Sequence, residues 1–171
     1  REAKNDVQKM YVILLWYTGG RSTEVASLRP RNVGNGFVVL PNLKQTKTYK
    51  GKEVKTKRSK TKTVYVKQEI LLLLENLIKQ HDIHSDEYIF SYGGSIPWSK
   101  YHIHHMVTMA ARRAGVMKVN RYGNIVPAWP HTFRHGAATY QYENTQDIVF
   151  VQEQLGHAQL ETTREYISID A

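Results

Sequence analysis

The apolar positions along this chain change their period several times, and each change marks an element. In residues 5–17, Val7, Met10, Tyr11, Leu14 and Leu15 recur at three- and four-residue spacing, the repeat of one helix face, and Asn5 or Asp6 can cap the start. Thr18-Gly19-Gly20 breaks that helix. A second opens near Arg21–Ser22, turns Val25, Ala26 and Leu28 inward and stops at Pro30. The period then shortens to that of strands. Arg31-Asn32-Val33, the turn Gly34-Asn35-Gly36, the run Phe37-Val38-Val39-Leu40 and the later run Thr63-Val64-Tyr65-Val66 predict a small three-stranded antiparallel sheet. A long basic hairpin between its second and third strands, with its tip near 49–55, is expected to project from the body. Helical spacing returns over 67–80 (Ile70, Leu71, Leu74, Leu77, Ile78) and from Pro97-Trp98-Ser99 to Gly115 (Ile103, Met106, Val107, Ala110). Residues 82–94 read as a loop with a short apolar piece, and 118–130 as a connecting loop with a turn over 120–124. Ile148, Val149, Val151 and Leu155 predict a last helix that Gly156 can end. The order, with no internal repeat and no linker, predicts one α+β, mainly helical domain over residues 1–171.

A chain of 171 residues that is 41% hydrophobic can bury a core. Its longest apolar runs, Tyr11–Tyr17 and Ile70–Leu74, are core-sized and far short of a membrane span. The absence of cysteine excludes disulfides, a thiolate nucleophile and thiolate-bound zinc. A cytoplasmic location is the default expectation, and a first residue other than Met makes a piece of a longer protein the expected context. Charge changes the picture most. Residues 44–62 hold nine of the 24 Lys and Arg and one acid, which leaves 15 basic against 14 acidic residues elsewhere. A basic segment concentrated on the expected hairpin points to a polyanion, most often nucleic acid; a solvated loop that aids solubility is an equal competitor for the charge run alone.

The candidate chemistry sits mostly in the last forty or so residues. His131 and Arg134, three apart, share a helix face. His157 follows the Leu-Gly pair that ends the last helix, and Tyr166 lies beyond Thr162 and Thr163, either of which can cap a short segment. Arg21, at a Gly-Gly bend opening a helix, is placed where backbone N–H groups already favour an anion. A surface ion pair with Glu24 is the better reading of Arg21 taken alone. Imidazole, guanidinium and phenol in a basic protein suit phosphate chemistry better than acyl transfer. Competing readings make Tyr166 a buried aromatic, or make His131, His135 and His157 metal ligands. The second is disfavoured by Arg134 beside the ion and by the missing internal Glu of the metalloprotease motif. His102, His104 and His105 cannot all point one way on a helix and are set aside as a metal cluster. Arg112 and Arg113 at a helix end either touch phosphate or complement the dipole.

Read together, these boxes resemble the catalytic domain of the tyrosine recombinases, the family of phage integrases and Xer enzymes. TGGRSTEVASLRPRNV is similar to the family's first arginine box, HTFRH to its His-x-x-Arg-His box, LGH to the following histidine motif and TTREY to the nucleophile box. Each box is weak by itself; four in this order and spacing are specific.

The resemblance implies that Arg21, Lys47, His131, Arg134, His157 and Tyr166 form the catalytic set, with Glu24 and His135 as supporting neighbours. The family's hairpin lysine is assigned to Lys47 in QTKT, with Lys57 in KTKR as the alternative. Lys44, Lys50, Lys52, Lys55, Lys57, Arg58, Lys60 and Lys62 become the expected DNA contacts. The implied reaction needs neither metal nor any other cofactor. Tyr166 attacks a DNA phosphate, forms a 3′-phosphotyrosyl bond and releases a 5′-hydroxyl, and a second 5′-hydroxyl reverses the step on another strand. Arg21 and Arg134 serve the non-bridging oxygens, His157 donates a further hydrogen bond, His131 acts on the tyrosine proton and Lys47 protonates the departing oxygen. A type IB topoisomerase and an inactive DNA-binding module are the alternatives. The implied partners are double-stranded DNA at specific recombination sites and further copies of the protein, as a tetramer on DNA, with no membrane. A second, N-terminal DNA-binding domain is expected outside residues 1–171.

Overall fold

The structure is a computed structural model that describes residues 2–43, 46–49, 52–55, 60–157 and 163–164, with side chains over 6–43, 60–157 and 163–164. Helix α1 (Glu2–Thr18) is the spine. Its Tyr11, Leu14 and Leu15 are fully buried, and the Tyr11 hydroxyl donates to the Ser22 carbonyl at 2.8 Å, which ties α1 to the short α2 (Ser22–Ala26). The core continues through Val38 and Val64, the Leu71-Leu74-Leu77 face of α3 (Gln68–Gln80), Phe90 and Trp98, and Ile103 and Val107 of α4 (Lys100–Ala114). Tyr11, Phe90 and Trp98 meet ring to ring at 5.1–5.6 Å between centroids. A smaller cluster, Ala138, Val151 and Leu155, joins α5 (Pro130–Thr145) to α6 (Ile148–Leu155).

Helix ends follow the local sequence. The Ser99 hydroxyl accepts from the His102 N–H at the start of α4, and Asp147 accepts from the Val149 and Phe150 N–H groups at the start of α6. Gly156 ends α6 in the left-handed conformation, at φ +67°.

The strands depart from expectation. Strand β1 (Phe37–Pro41) pairs antiparallel with β4 (Thr61–Tyr65) in a register that sets Val38 opposite Val64 and Leu40 opposite Lys62. Between them β2 (Thr46–Tyr49) and β3 (Lys52–Lys55) form a separate ladder, with Lys47 opposite Val54. No third strand joins β1 and β4 among the described residues: Pro30–Asn32 is a 3-10 turn, and only an isolated Val33–Val38 bridge extends the sheet. Pro30 fixes its own φ and offers no N–H, which suits the first position of a tight turn better than a ladder. Residues 118–130, expected to be a loop, contain all but the first residue of a hairpin, β7 (Met117–Val119) with β8 (Ile125–Pro127), closed by Asn120, whose side-chain oxygen accepts from the Tyr122 and Asn124 N–H groups. The expected 82–94 loop likewise runs into a minimal ladder, β5 (Ser91–Tyr92) with β6 (Ile96–Pro97). Among the described residues, no helix is long and apolar enough to cross a membrane.

Candidate active site

The site forms where the starts of α2 and α5 meet. Thr18-Gly19-Gly20 turns the chain between α1 and α2. Gly19 sits at φ +58°, and a Cβ there would come within 2.7 Å of a Leu155 methyl, so the bend demands glycine on both counts. Arg21 follows as the residue capping α2. Its backbone N–H donates to Glu24 Oε2 at 3.0 Å and its guanidinium to Oε1 at 2.9 Å. The pair is no surface contact: Glu24 is fully buried, while a quarter of the Arg21 side chain remains exposed to the cleft. Burial alone would push the Glu24 carboxyl up, but the charges and hydrogen bonds of Lys62 and Arg21 hold it below the ordinary carboxylate value.

On α5, Pro130 starts the helix. His131 then faces outward while Arg134, one turn on, points into the body and is only 2% exposed. The Arg134 guanidinium donates to the Gly19 carbonyl at 2.6 Å and to the Leu155 carbonyl at 2.9 Å, and it meets His157 Nε2 at 2.8 Å. A guanidinium only donates, so Nε2 accepts. The proton of the neutral ring is then on Nδ1, which faces the Thr163 hydroxyl at 3.0 Å. The ring nitrogens of His157, third ligand of the competing metal reading, are thus engaged by Arg134 and Thr163.

Arg21, His131 and Arg134 line one cleft of about 450 Å³ together with Gly20, Lys100, His104 and Trp129. His135 stacks edge-on against His131 at 4.7 Å. Partial burial, then the charges of His135, Arg134, Lys118 and Arg21, hold the His131 imidazole below its usual range, so it is neutral at pH 7. A neutral imidazole beside two guanidinium groups is a proton acceptor next to an anion site, the combination that activation of a hydroxyl against a phosphate needs.

Lys47 lies on β2, its side chain outside the described residues. The same holds for Lys52 and Lys55 on β3, while Lys44, Lys50, Lys57, Arg58 and Tyr166 lie wholly outside them. Lys60 is exposed, as a phosphate contact would be. Lys62 is not. Expected on the DNA face, it is 8% exposed, 2.9 Å from Glu24 Oε2 and 3.0 Å from the Leu155 carbonyl it donates to. Strand alternation carried that signal: Val64 turns inward, so Lys62, two residues before it, does too. The sequence reading also missed Lys100 and His104, which share a face of α4 at four-residue spacing and open onto the cleft. Trp129 beside them carries the Lys118 ammonium over its ring at 3.9 Å.

A sequence profile described as the phage integrase family matches residues 2–171. The chain belongs to the phage integrase family. The tyrosine recombinase XerH of Campylobacter jejuni is 25% identical over 164 residues, covering 95% of this chain and 41% of its own length. A tyrosine recombinase of Thermosipho africanus is 27% identical over 163 residues, at 95% and 50%. The crystal structure of XerA recombinase superposes with a TM-score of 0.72 at 26% identity, over 99% of this chain and 56% of that one. XerH bound to its difH substrate in a pre-cleavage complex shares the fold at a TM-score of 0.71 and 21% identity, over 97% and 44%. The chain thus spans about half the length of the integrase-family relatives it matches.

Proposed function

We propose that this chain is the strand-cleaving and rejoining domain of a site-specific DNA recombinase. The convergence of Arg21, His131 and Arg134 on one cleft, with His157 bonded to Arg134, carries the reading. Tyr166 attacks a backbone phosphate. The new bond joins its oxygen to phosphorus at the 3′ end, and the bond to the 5′-oxygen breaks. Arg21 and Arg134 stabilise the charge on the non-bridging oxygens as permanently charged, planar donors. His131 takes the phenolic proton in cleavage and returns it in resealing. Lys47, on the hairpin ladder, protonates the departing 5′-oxygen, and the other hairpin lysines follow the duplex. His157 positions Arg134, and it joins the phosphate when the guanidinium turns toward DNA. The partners are double-stranded DNA at specific sites and further copies of the protein, as a tetramer inside the cell.

Covalent trapping on nicked duplex carrying the element's own attachment site tests the reading. The expected result is an SDS-resistant adduct that persists in EDTA and disappears in Tyr166→Phe. An adduct that survives Tyr166→Phe, or none at all from full-length protein with its cognate site, refutes it.

A further inference from the structure

We propose that Lys62 is a positioning residue of the cleavage site: it makes no contact with DNA and instead fixes Arg21 and Arg134 in one frame, through Glu24 and the Leu155 carbonyl. The inference rests on the recombinase reading above. Three segments distant in sequence meet at the Lys62 Nζ. From α2 comes Glu24, whose carboxylate also takes both the backbone and the guanidinium of Arg21. From the end of α6 comes the Leu155 carbonyl, which Arg134 shares. The third is β4 itself, which leads back into the hairpin carrying Lys47, and whose Tyr65 N–H is held by the Gln154 side chain of α6 at 3.1 Å. One ammonium therefore links both arginines and the β4 side of the hairpin's base to the same point.

The surroundings are built for that group. Gly156 gives it room, since a Cβ there would lie 2.9 Å from Lys62 Cδ and 3.5 Å from Nζ. An ammonium this buried persists only where a carboxylate and a carbonyl replace its water. Burial, set partly against Glu24 and reinforced by Arg134 and Arg21, lowers it to about 8. Lys60, two residues earlier and exposed, is the contrast: the same side chain in the same strand approach, but open to a phosphate.

The test uses full-length protein with its cognate nicked site and compares Lys62→Met, Lys60→Ala and the double variant Glu24→Gln/Lys62→Met. Three readouts are taken: the salt dependence of DNA binding, the cleavage rate at saturating DNA, and the rate on a 5′-bridging phosphorothioate, whose leaving group needs no proton. Lys62→Met is expected to keep the wild-type salt slope and to cleave about 100-fold more slowly, the scale of a misplaced reacting group. Sulfur substitution is expected not to restore that rate. Lys60→Ala is expected to lower the salt slope by about 1. The double variant is expected to cleave no more slowly than Lys62→Met, because both changes break one linkage. It removes both buried charges together, so it supplies the rate if the single variant unfolds. A reduced salt slope in Lys62→Met overturns the proposal in favour of a phosphate contact. Recovery with sulfur overturns it in favour of a proton donor, and multiplying losses in the double variant sever Lys62 from Glu24. Wild-type protein that forms no adduct brings down the recombinase reading and this inference with it; wild-type cleavage matched by Lys62→Met brings down the inference alone.

Discussion

Replacing Glu24 by Ala tests whether the site's charges are also its keystone. The carboxylate is fully buried and accepts from the Arg21 N–H, the Arg21 guanidinium and the Lys62 ammonium, all at 2.9–3.0 Å. Its removal leaves Lys62 at 8% exposure among Arg21, Arg134 and the Leu155 carbonyl, with no anion. Breaking a buried pair from one side costs about 3–5 kcal/mol, because the remaining charge keeps its desolvation penalty. For a domain of this size each kcal/mol moves the midpoint by about 2–4 °C, so Glu24→Ala should melt roughly 6–20 °C below wild type. Circular dichroism melts at pH 7, backed by urea titrations, give the number, and Glu24→Gln, which keeps an acceptor, should lose less. The pH dependence carries a sign. A carboxyl held low in the fold stabilises fully above its ordinary value of 4.5 and loses that contribution as pH falls through the lower folded value. The gap between wild type and Glu24→Ala should therefore be widest near neutrality and close in acid. A loss below about 1 kcal/mol, the range of exposed pairs, would refute the buried-pair account.

Gly156→Ala should cost about 1–2 kcal/mol for the left-handed backbone alone and slow cleavage more than it weakens DNA binding, since the new methyl presses on Lys62; melts and adduct formation measured side by side check this, and unchanged cleavage would count against the link. The depressed His131 imidazole predicts that kcat/KM for cleavage stays level down to about pH 6.5 and falls only below it, a limb that His131→Gln should erase; an acid midpoint above 6.5 would contradict the base role.

The boxes proposed to carry the chemistry were legible as helix ends because punctuation brackets them. Gly19-Gly20 before Arg21, Pro130 before His131 and Gly156 before His157 each mark a helix end; the first two open onto the cleft, and the third sets His157 against Arg134. Placing Arg134 and Glu24 inside rather than on the surface required tertiary partners, the Gly19 and Leu155 carbonyls and Lys62, that lie far away in sequence. Lys62 looked like its neighbours because lysine composition dominates residues 44–62, although the alternation through Val64 marked it as inward. The hairpin over 117–127 escaped notice for the opposite reason: Val119 and Ile125 are exposed, so its alternation follows no buried face.

The contact between Thr163 and His157 sets a leash. Thr163 is fully buried, and its hydroxyl lies 3.0 Å from the imidazole that touches Arg134. Tyr166 comes three residues later in the sequence. A chain advances at most about 3.6 Å per residue, so the backbone of Tyr166, the proposed nucleophile, can lie no more than roughly 11 Å from that of Thr163. For the proposed reaction, the Thr163 hydroxyl thereby ties the start of the nucleophile's segment to the imidazole beside Arg134.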